Sequence, residues 1–441
     1  MDACFLKGEM MGKTRKIVLI SLTAVFATLL AVLLGLYGFW TNAFGAERAV
    51  LTTEQMTIPY WFNQNGDETI IYNEIVTPIR YGSSDTAVGY LTYTPSEIIS
   101  VQNYSQETTY SSSSYTISGN QISFPISSGI AYMQEEWLDG KNIPSEYQDG
   151  SLTNAAYNDG GGTNRGAHVI AENALTRTNY IVVTYKYNHA QQGLGFQTPS
   201  YVPENYPNLL KKLNAGEPIK ILIFGDSISV GASASAFSNF PPYTPTYFDQ
   251  IKNFLAARYY AGDTSKITLV NTSQGGEASA WGVKQVRQSA FDKSNYDLIV
   301  VGFGMNDGSL NVNPKVFKSN IAQIVSSLRE TSPEADFVLL GTFTPNPKSV
   351  FAGNHSQYMQ ELSDLAESLN IISTSHKSGC TFVNLWNIST GILAKKQANN
   401  SVGDTRYQYM DISANYTNHP NDFMVRLYAG AILSTFIDFN I

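Results

Sequence analysis

The residue that first invites chemistry is Ser227. It closes Gly225-Asp226-Ser227, which follows the apolar run Ile221–Phe224 and precedes the small residues 231–236. An unbroken apolar run of that length reads as a strand buried in a parallel sheet. Strand, sharp turn, serine and helix together expose a hydroxyl at a strand's carboxyl end, with backbone N–H groups at hand for developing negative charge. The Gly-x-Ser-x-Gly elbow is absent. A plain Gly-Asp-Ser turn without chemistry is therefore the competing reading, and the serine needs partners elsewhere in the chain. Three more polar blocks offer them: 271–279 with Gly275-Gly276, 302–307 with Asn306, and 418–422 with His419. The other histidines, His168, His189, His355 and His376, show no metal-ligand spacing and read as surface or core residues.

These blocks take their meaning from the elements around them. From Ile219 onward, strand-like runs at 221–224, 267–270, 298–301, 337–340 and 382–385 alternate with helical stretches at 247–259, 281–289, 314–331, 357–369 and 422–439. Strands separated by helices imply a parallel sheet covered on both faces, in an α/β domain spanning 219–441. Ligands of such sheets bind at the carboxyl ends of the strands. Three of the four blocks directly follow a strand, and the fourth precedes the last helix.

The chain before this domain reads differently. Residues 49–202 hold short segments rich in Thr, Tyr, Ile and Val, broken by Gly, Ser, Asn and Asp, with no long helical period. That pattern predicts an all-β sandwich or jelly roll. The run Ser111–Ser114 suits a hairpin loop. The glycine-rich stretch 158–166 lacks the Lys-Ser/Thr ending of a phosphate loop, which removes a nucleotide reading. Residues 203–218 read as a linker, with four prolines between Pro199 and Pro218 and a short amphipathic piece from Asn208.

Composition bounds the function. The 441 residues are 43% hydrophobic and 15% charged, enough for sizeable cores. A net charge of −8 argues against a nucleic-acid partner. The 27 tyrosines suit β-rich packing or sugar-stacking surfaces. Residues 17–40 contain no charge and follow Lys13, Arg15 and Lys16. They predict a single-pass anchor with residues 1–16 in the cytoplasm and the remainder outside, on a bacterial surface. A cleaved signal peptide is the rival, but its apolar region is normally only about 7–15 residues. Cys4 and Cys380 fall on opposite sides of that span and cannot pair within one chain; Cys380 reads as a small buried apolar residue. Nothing in the sequence calls for a metal or cofactor.

With these blocks in view, the chain from about residue 219 resembles the SGNH subgroup of the GDSL hydrolases. Gly225-Asp226-Ser227 matches the nucleophile block, Gly275-Gly276 the glycine block, Gly304-Met305-Asn306-Asp307 the Gly-x-Asn-Asp block, and His419-Pro420 the histidine block, in the family's order. The resemblance implies a flavodoxin-like three-layer fold and a serine esterase. It makes Ser227 the nucleophile and His419 its base and then the acid for the leaving alcohol. The oxyanion hole would be the Ser227 N–H, the Gly276 N–H (with Gly275 as substitute) and the Asn306 amide. Asp226 and Asp307 are expected to brace loops rather than to act as acids. One departure stands out. The family's Asp-x-x-His has Tyr416 in the aspartate position here, and the nearest preceding acid is Asp411. Asp411 is the first candidate for the third catalytic member. A backbone carbonyl or Asn415 orienting the imidazole, or an impaired enzyme, are the alternatives.

An aromatic-rich, external protein with a β-rich front part resembles two-domain carbohydrate acetylesterases in layout. The expected substrate is an O-acetylated cell-wall or extracellular polysaccharide. A lipase- or thioesterase-like hydrolase of longer acyl esters, an O-acetyltransferase and a glycan-binding protein on a silent scaffold are the competing readings.

Overall fold

The computed structural model describes residues 68–138, 141–145, 153–158, 164–169, 177–232, 234–292, 294–347, 349, 351–373, 378–398 and 405–439. The expected anchor at 17–40 lies outside them, as does Cys4. Among the described residues, no helix is long and apolar enough to cross a membrane.

The front half is strand-rich: β1 (Glu68–Val76), β2 (Ile79–Arg80), β3 (Thr86–Tyr90), β4 (Glu97–Asn103), β5 (Thr116–Ser118), β6 (Gln121–Pro125), β7 (Met133–Gln134), β8 (Thr153–Asn158), β9 (Asn164–Val169) and β10 (Ile181–Asn188). β1, β10 and β4 pair antiparallel. A second sheet runs in the order β5, β6, β3, β2, β7, and β8 and β9 form a hairpin.

The back half is the α/β domain. Its sheet, in the order β12 (Ile267–Asn271), β11 (Ile219–Gly225), β13 (Leu298–Gly302), β14 (Asp336–Gly341), β15 (Cys380–Asn384), is parallel throughout. Its central strands β11, β13 and β14 carry long apolar runs because both of their faces are covered. Side chains alternate across the sheet. Ile221, Ile223, Val300 and Val338 enter one core, and Leu222, Phe224, Ile299 and Leu339 enter the other. The helices are α1 (Pro207–Ala215), α2 (Ser227–Val230), α3 (Tyr247–Tyr259), α4 (Ser279–Val286), α5 (Met305–Ser309), α6 (Pro314–Thr331), α7 (Gln357–Ser373), α8 (Leu385–Ala398) and α9 (Asp422–Ser434). Residues of α4, α6 and α7 line the second core, and those of α1, α3, α8 and α9 the first.

Two expectations need correction. The front half does not have a core of its own. Ile71, Val101, Phe124 and Tyr185 share one apolar cluster with Ile221, Ile392 and Leu427, and the described residues of both halves belong to one compact unit. Nor is 203–218 merely a linker. Within it, α1 buries Leu209 and Leu213 against the sheet, and the Leu209 N–H donates to Asp336 at 2.9 Å. Helix α8 was not foreseen. It is buried on several sides, so its sequence lacks an amphipathic period, and it directly follows the last strand.

Candidate functional site

The chain leaves β11 toward β12 on one side and reaches β13 on the other, so the strand order reverses at β11. In open parallel sheets such a reversal is where ligands bind, beyond the carboxyl ends of the strands. Ser227 follows β11 and Asn306 follows β13, which puts the two at the same reversal. Close approach of these strand ends requires glycine. A Cβ on Gly225 would lie 2.2 Å from the carbonyl oxygen of Gly302.

Asp226 fastens this corner. Its Oδ1 accepts the Ile228 N–H at 3.0 Å, capping α2, and its Oδ2 accepts the Met305 N–H at 3.3 Å, one residue before Asn306. Burial pushes its carboxyl up to about 7, against the pull of those two N–H groups and of His419. Ser227 then opens α2, where no intrahelical carbonyl reaches its N–H. Ser227 is 8% exposed as a residue, and its hydroxyl stands 2.9 Å from Nε2 of His419. The two residues are separated by 192 positions in the chain, and the fold brings them to hydrogen-bond distance.

His419 sits in a turn organised by Asn415. Its Oδ1 accepts the backbone N–H groups of Thr417 at 3.1 Å, Asn418 at 3.0 Å and His419 at 3.0 Å. The Ala414 N–H donates to the His419 carbonyl at 2.8 Å. Asn415 thus fixes the backbone that carries the base. Tyr416, in the family's aspartate position, is buried in the left-handed region at φ +62°, a strained setting for a bulky residue. Asn346 holds it there, donating from Nδ2 to the Tyr416 carbonyl at 3.0 Å.

Asp411 is placed elsewhere than the sequence suggested. Its Oδ1 accepts the Thr77 N–H at 2.7 Å and its Oδ2 meets Nζ of Lys396 at 3.0 Å, so both carboxylate oxygens are engaged away from the imidazole. The physical reason is that eight residues of chain fold into a turn, which turns Asp411 toward β1 while His419 turns toward Ser227. Burial pushes the Asp411 carboxyl up to about 6, although Lys396 and Thr77 pull it down.

The loops carrying the expected oxyanion donors lie near Ser227, that of Asn306 being tied to its neighbour Asp226 through the Met305 N–H. The Asn306 amide donates to the Glu277 carbonyl at 3.0 Å, which pins its nitrogen beside the glycine loop and leaves the second hydrogen on that nitrogen for another acceptor. Of the two glycines, Gly275 is the nearer to the nucleophile: a Cβ there would lie 3.7 Å from Cβ of Ser227. Gly276 faces open space with φ +78°, so its part is the shape of the turn. Both glycines are exposed, which leaves this side of the site open. Asp307 accepts the Ser279 N–H at 2.9 Å and also the Ser279 hydroxyl, bracing the glycine loop against α5.

Sequence reasoning missed His355 as a support. It is fully buried under α5, and its Nε2 donates to the Met305 carbonyl at 2.9 Å. Burial lowers its pKa. The signal available in the sequence was only an isolated histidine, which carries no address. Among the described residues no cluster of His, Cys, Asp or Glu could hold a metal ion.

These buried acids set a pH dependence of stability. Asp226 and Asp336 are both pushed up to about 7 by burial, and Asp411 to about 6. Unfolded carboxyls ionise near pH 4. Between those values the folded chain keeps protons that the unfolded chain releases, so this contribution is greatest below about pH 4 and is lost as pH rises through 6–7. His355, lowered, works in the opposite sense but is a single group. The melting temperature is expected to fall by at least about 3 °C between pH 5 and pH 8. A scan of thermal melts at constant ionic strength checks this, and a rise across the window would contradict it.

Residues 223–426 match the GDSL-like lipase/acylhydrolase family. They form a GDSL/SGNH lipase-acylhydrolase domain. The chain is similar to part of an arylesterase of Vibrio mimicus, 27% identical over 112 residues, which cover 25% of this chain and 50% of that protein. The chain therefore spans about half the length of this curated relative. Among solved structures, an acetylxylan esterase from Geobacillus stearothermophilus is 16% identical with a TM-score of 0.36, over 51% of this chain and 97% of that one. A two-domain esterase active on acetylated mannans is 14% identical with a TM-score of 0.35, over 54% of each chain.

Proposed function

We propose that the protein is a serine-dependent carboxylic ester hydrolase. The observation that carries this reading is the 2.9 Å contact between the Ser227 hydroxyl and Nε2 of His419, beside the glycine loop and the Asn306 amide. The ring nitrogen takes the serine proton as Oγ bonds to the ester carbonyl carbon. The carbonyl oxygen becomes negative and is met by the N–H groups of Ser227 and of the Gly275-Gly276 loop and by the Asn306 amide. The imidazolium then protonates the departing alcohol. Water, deprotonated by the same nitrogen, cleaves the acyl-serine and restores the hydroxyl.

The substrate we propose is an O-acetyl group on a cell-wall or other extracellular polysaccharide. The site is open along the exposed glycines, which suits a short acyl group carried on a bulky polymer. The uncharged stretch 17–40, with basic residues ahead of it, supports a membrane-anchored protein whose ester hydrolase domain faces outward.

The test is acetate release from O-acetylated glycans by the full-length protein, alongside model esters of increasing acyl length. Acetyl esters are expected to be cleaved fastest, and Ser227→Ala to release nothing above background. A preference for long acyl esters would move the substrate to lipids or thioesters. Inertness toward every ester in the series, short and long, would overturn the hydrolase itself.

A further inference from the structure

The mechanism above leaves one group of buried charges unused. Lys396, on α8, has no exposed side chain. Its ammonium lies 2.6 Å from Oε1 of Glu74 and 3.0 Å from Oδ2 of Asp411, and it donates to the Tyr90 carbonyl at 2.8 Å. Glu74 is equally buried. It accepts the Thr92 N–H at 2.9 Å and the Tyr185 hydroxyl at 2.6 Å. Asp411 completes the group by accepting the Thr77 N–H.

Glu74 faces inward because β1 is bulged. The pairing of β1 with β10 shifts between Ile71 and Glu74, and Asn73 sits at φ +50°. Such a bulge re-aims the next side chain. The bulge therefore delivers a carboxylate from the front half to a lysine of the back half. A buried ion cluster costs desolvation, and apolar residues of similar volume would often be as stable or more so. What it supplies is a single arrangement, since each charge tolerates few positions for the others.

That arrangement bears on His419. Asp411 begins the segment that carries the histidine. Two residues on, the Ser413 carbonyl accepts the Tyr180 hydroxyl at 2.9 Å. On the far side of His419, Asp422 accepts the Tyr104 hydroxyl at 2.7 Å, and Arg426 donates to the Asn73 carbonyl at 2.6 Å. Both ends of the segment are thus tied to the front half, while the imidazole between them meets Ser227.

We propose that Lys396, with Glu74 and Asp411, is a positioning element of the ester hydrolase, through which the strand-rich front half fixes where His419 stands. The proposal rests on the reading of Ser227 and His419 as nucleophile and base. Asp411 then matters for catalysis without touching the imidazole.

The experiment uses the full-length protein, with a fluorophosphonate as probe of Ser227 and a short acyl ester as substrate. Parent, His419→Ala, Lys396→Met, Glu74→Gln and Asp411→Asn are compared well below their measured melting temperatures. Labelling of the parent and none of His419→Ala upholds the underlying reading; an unlabelled parent defeats that reading on its own, whatever the variants do. Given a labelled parent, Asp411→Asn and Glu74→Gln are expected to lower kcat about 10- to 100-fold with KM within about twofold, because displacement of the base by an ångström is felt in the chemical step. The labelling rate is expected to fall in parallel. Lys396→Met combined with Glu74→Gln is expected to cost little more than the worse single change, since the charges act as one unit. A merely structural cluster would lower the melting temperature and leave kcat and labelling at the parent's values in the folded variants. That result overturns the proposal. Should Lys396→Met fail to fold, the two milder variants decide.

Discussion

Replacing Ser227 with alanine is expected to lower kcat on acetyl esters by about 10⁴–10⁶-fold, with the fold and melting temperature close to the parent's. The hydroxyl is the atom that would become acylated, and it is held 2.9 Å from the nitrogen that would take its proton. Removing it leaves the oxyanion donors in place but nothing for them to assist, apart from attack by water. His419→Ala is expected to cost a similar factor, because a serine without a base remains a weak nucleophile. The double variant should be barely worse than either single one, since the two residues perform one step. The measurement is kcat and KM for the three variants on one short acyl ester. Additive losses would mean that serine and histidine act separately, which the geometry contradicts.

Asn306→Ala is expected to lower kcat by about 10²–10³-fold and to leave KM nearly unchanged. As an oxyanion donor the amide would be useful because it is already placed. One hydrogen bond to the Glu277 carbonyl holds its nitrogen beside the glycine loop, so a carbonyl oxygen gaining charge meets a donor that need not reorganise. A ground-state ester carbonyl gains less from the same donor, which is why the loss falls on kcat. The structural cost is one hydrogen bond at a half-buried position, on the order of 1 kcal/mol. A kcat within threefold of the parent's would remove Asn306 from the oxyanion hole.

Much of the α/β domain was legible because burial on two faces writes itself into sequence as uninterrupted apolar strands. All five strands fell within a few residues of their expected places, and α3 and α6 begin after Thr246 and Asn313, side chains that cap them by accepting N–H groups. Strand ends carry the site in such sheets, so Ser227 and Asn306 could be placed without knowing any contact. What failed to show depends on distance through space. Nothing in the spacing of Asp411 and His419 says that a turn built on Asn415 points them in different directions. Glu74 sits in a strand that would be read as alternating, and a bulge rather than a residue type turns it inward. Helix α8, which brings Lys396 to it, lacks the one-sided apolar stripe that makes helices visible. The choice between Gly275 and Gly276 was likewise invisible, because two adjacent glycines differ only in what their missing side chains would meet.

The continuous core beneath front and back halves has a consequence for how this chain could have changed over time. A hydrolase whose accessory part hangs on a flexible tether can exchange that part freely by recombination. Here a transplanted front half would have to reproduce the carboxylate at Glu74, the backbone N–H at Thr77 and the phenols at Tyr104 and Tyr180, each meeting a fixed atom behind it. Such a junction is inherited whole, and crossovers near residue 200 should yield inactive hybrids even when both parents are active.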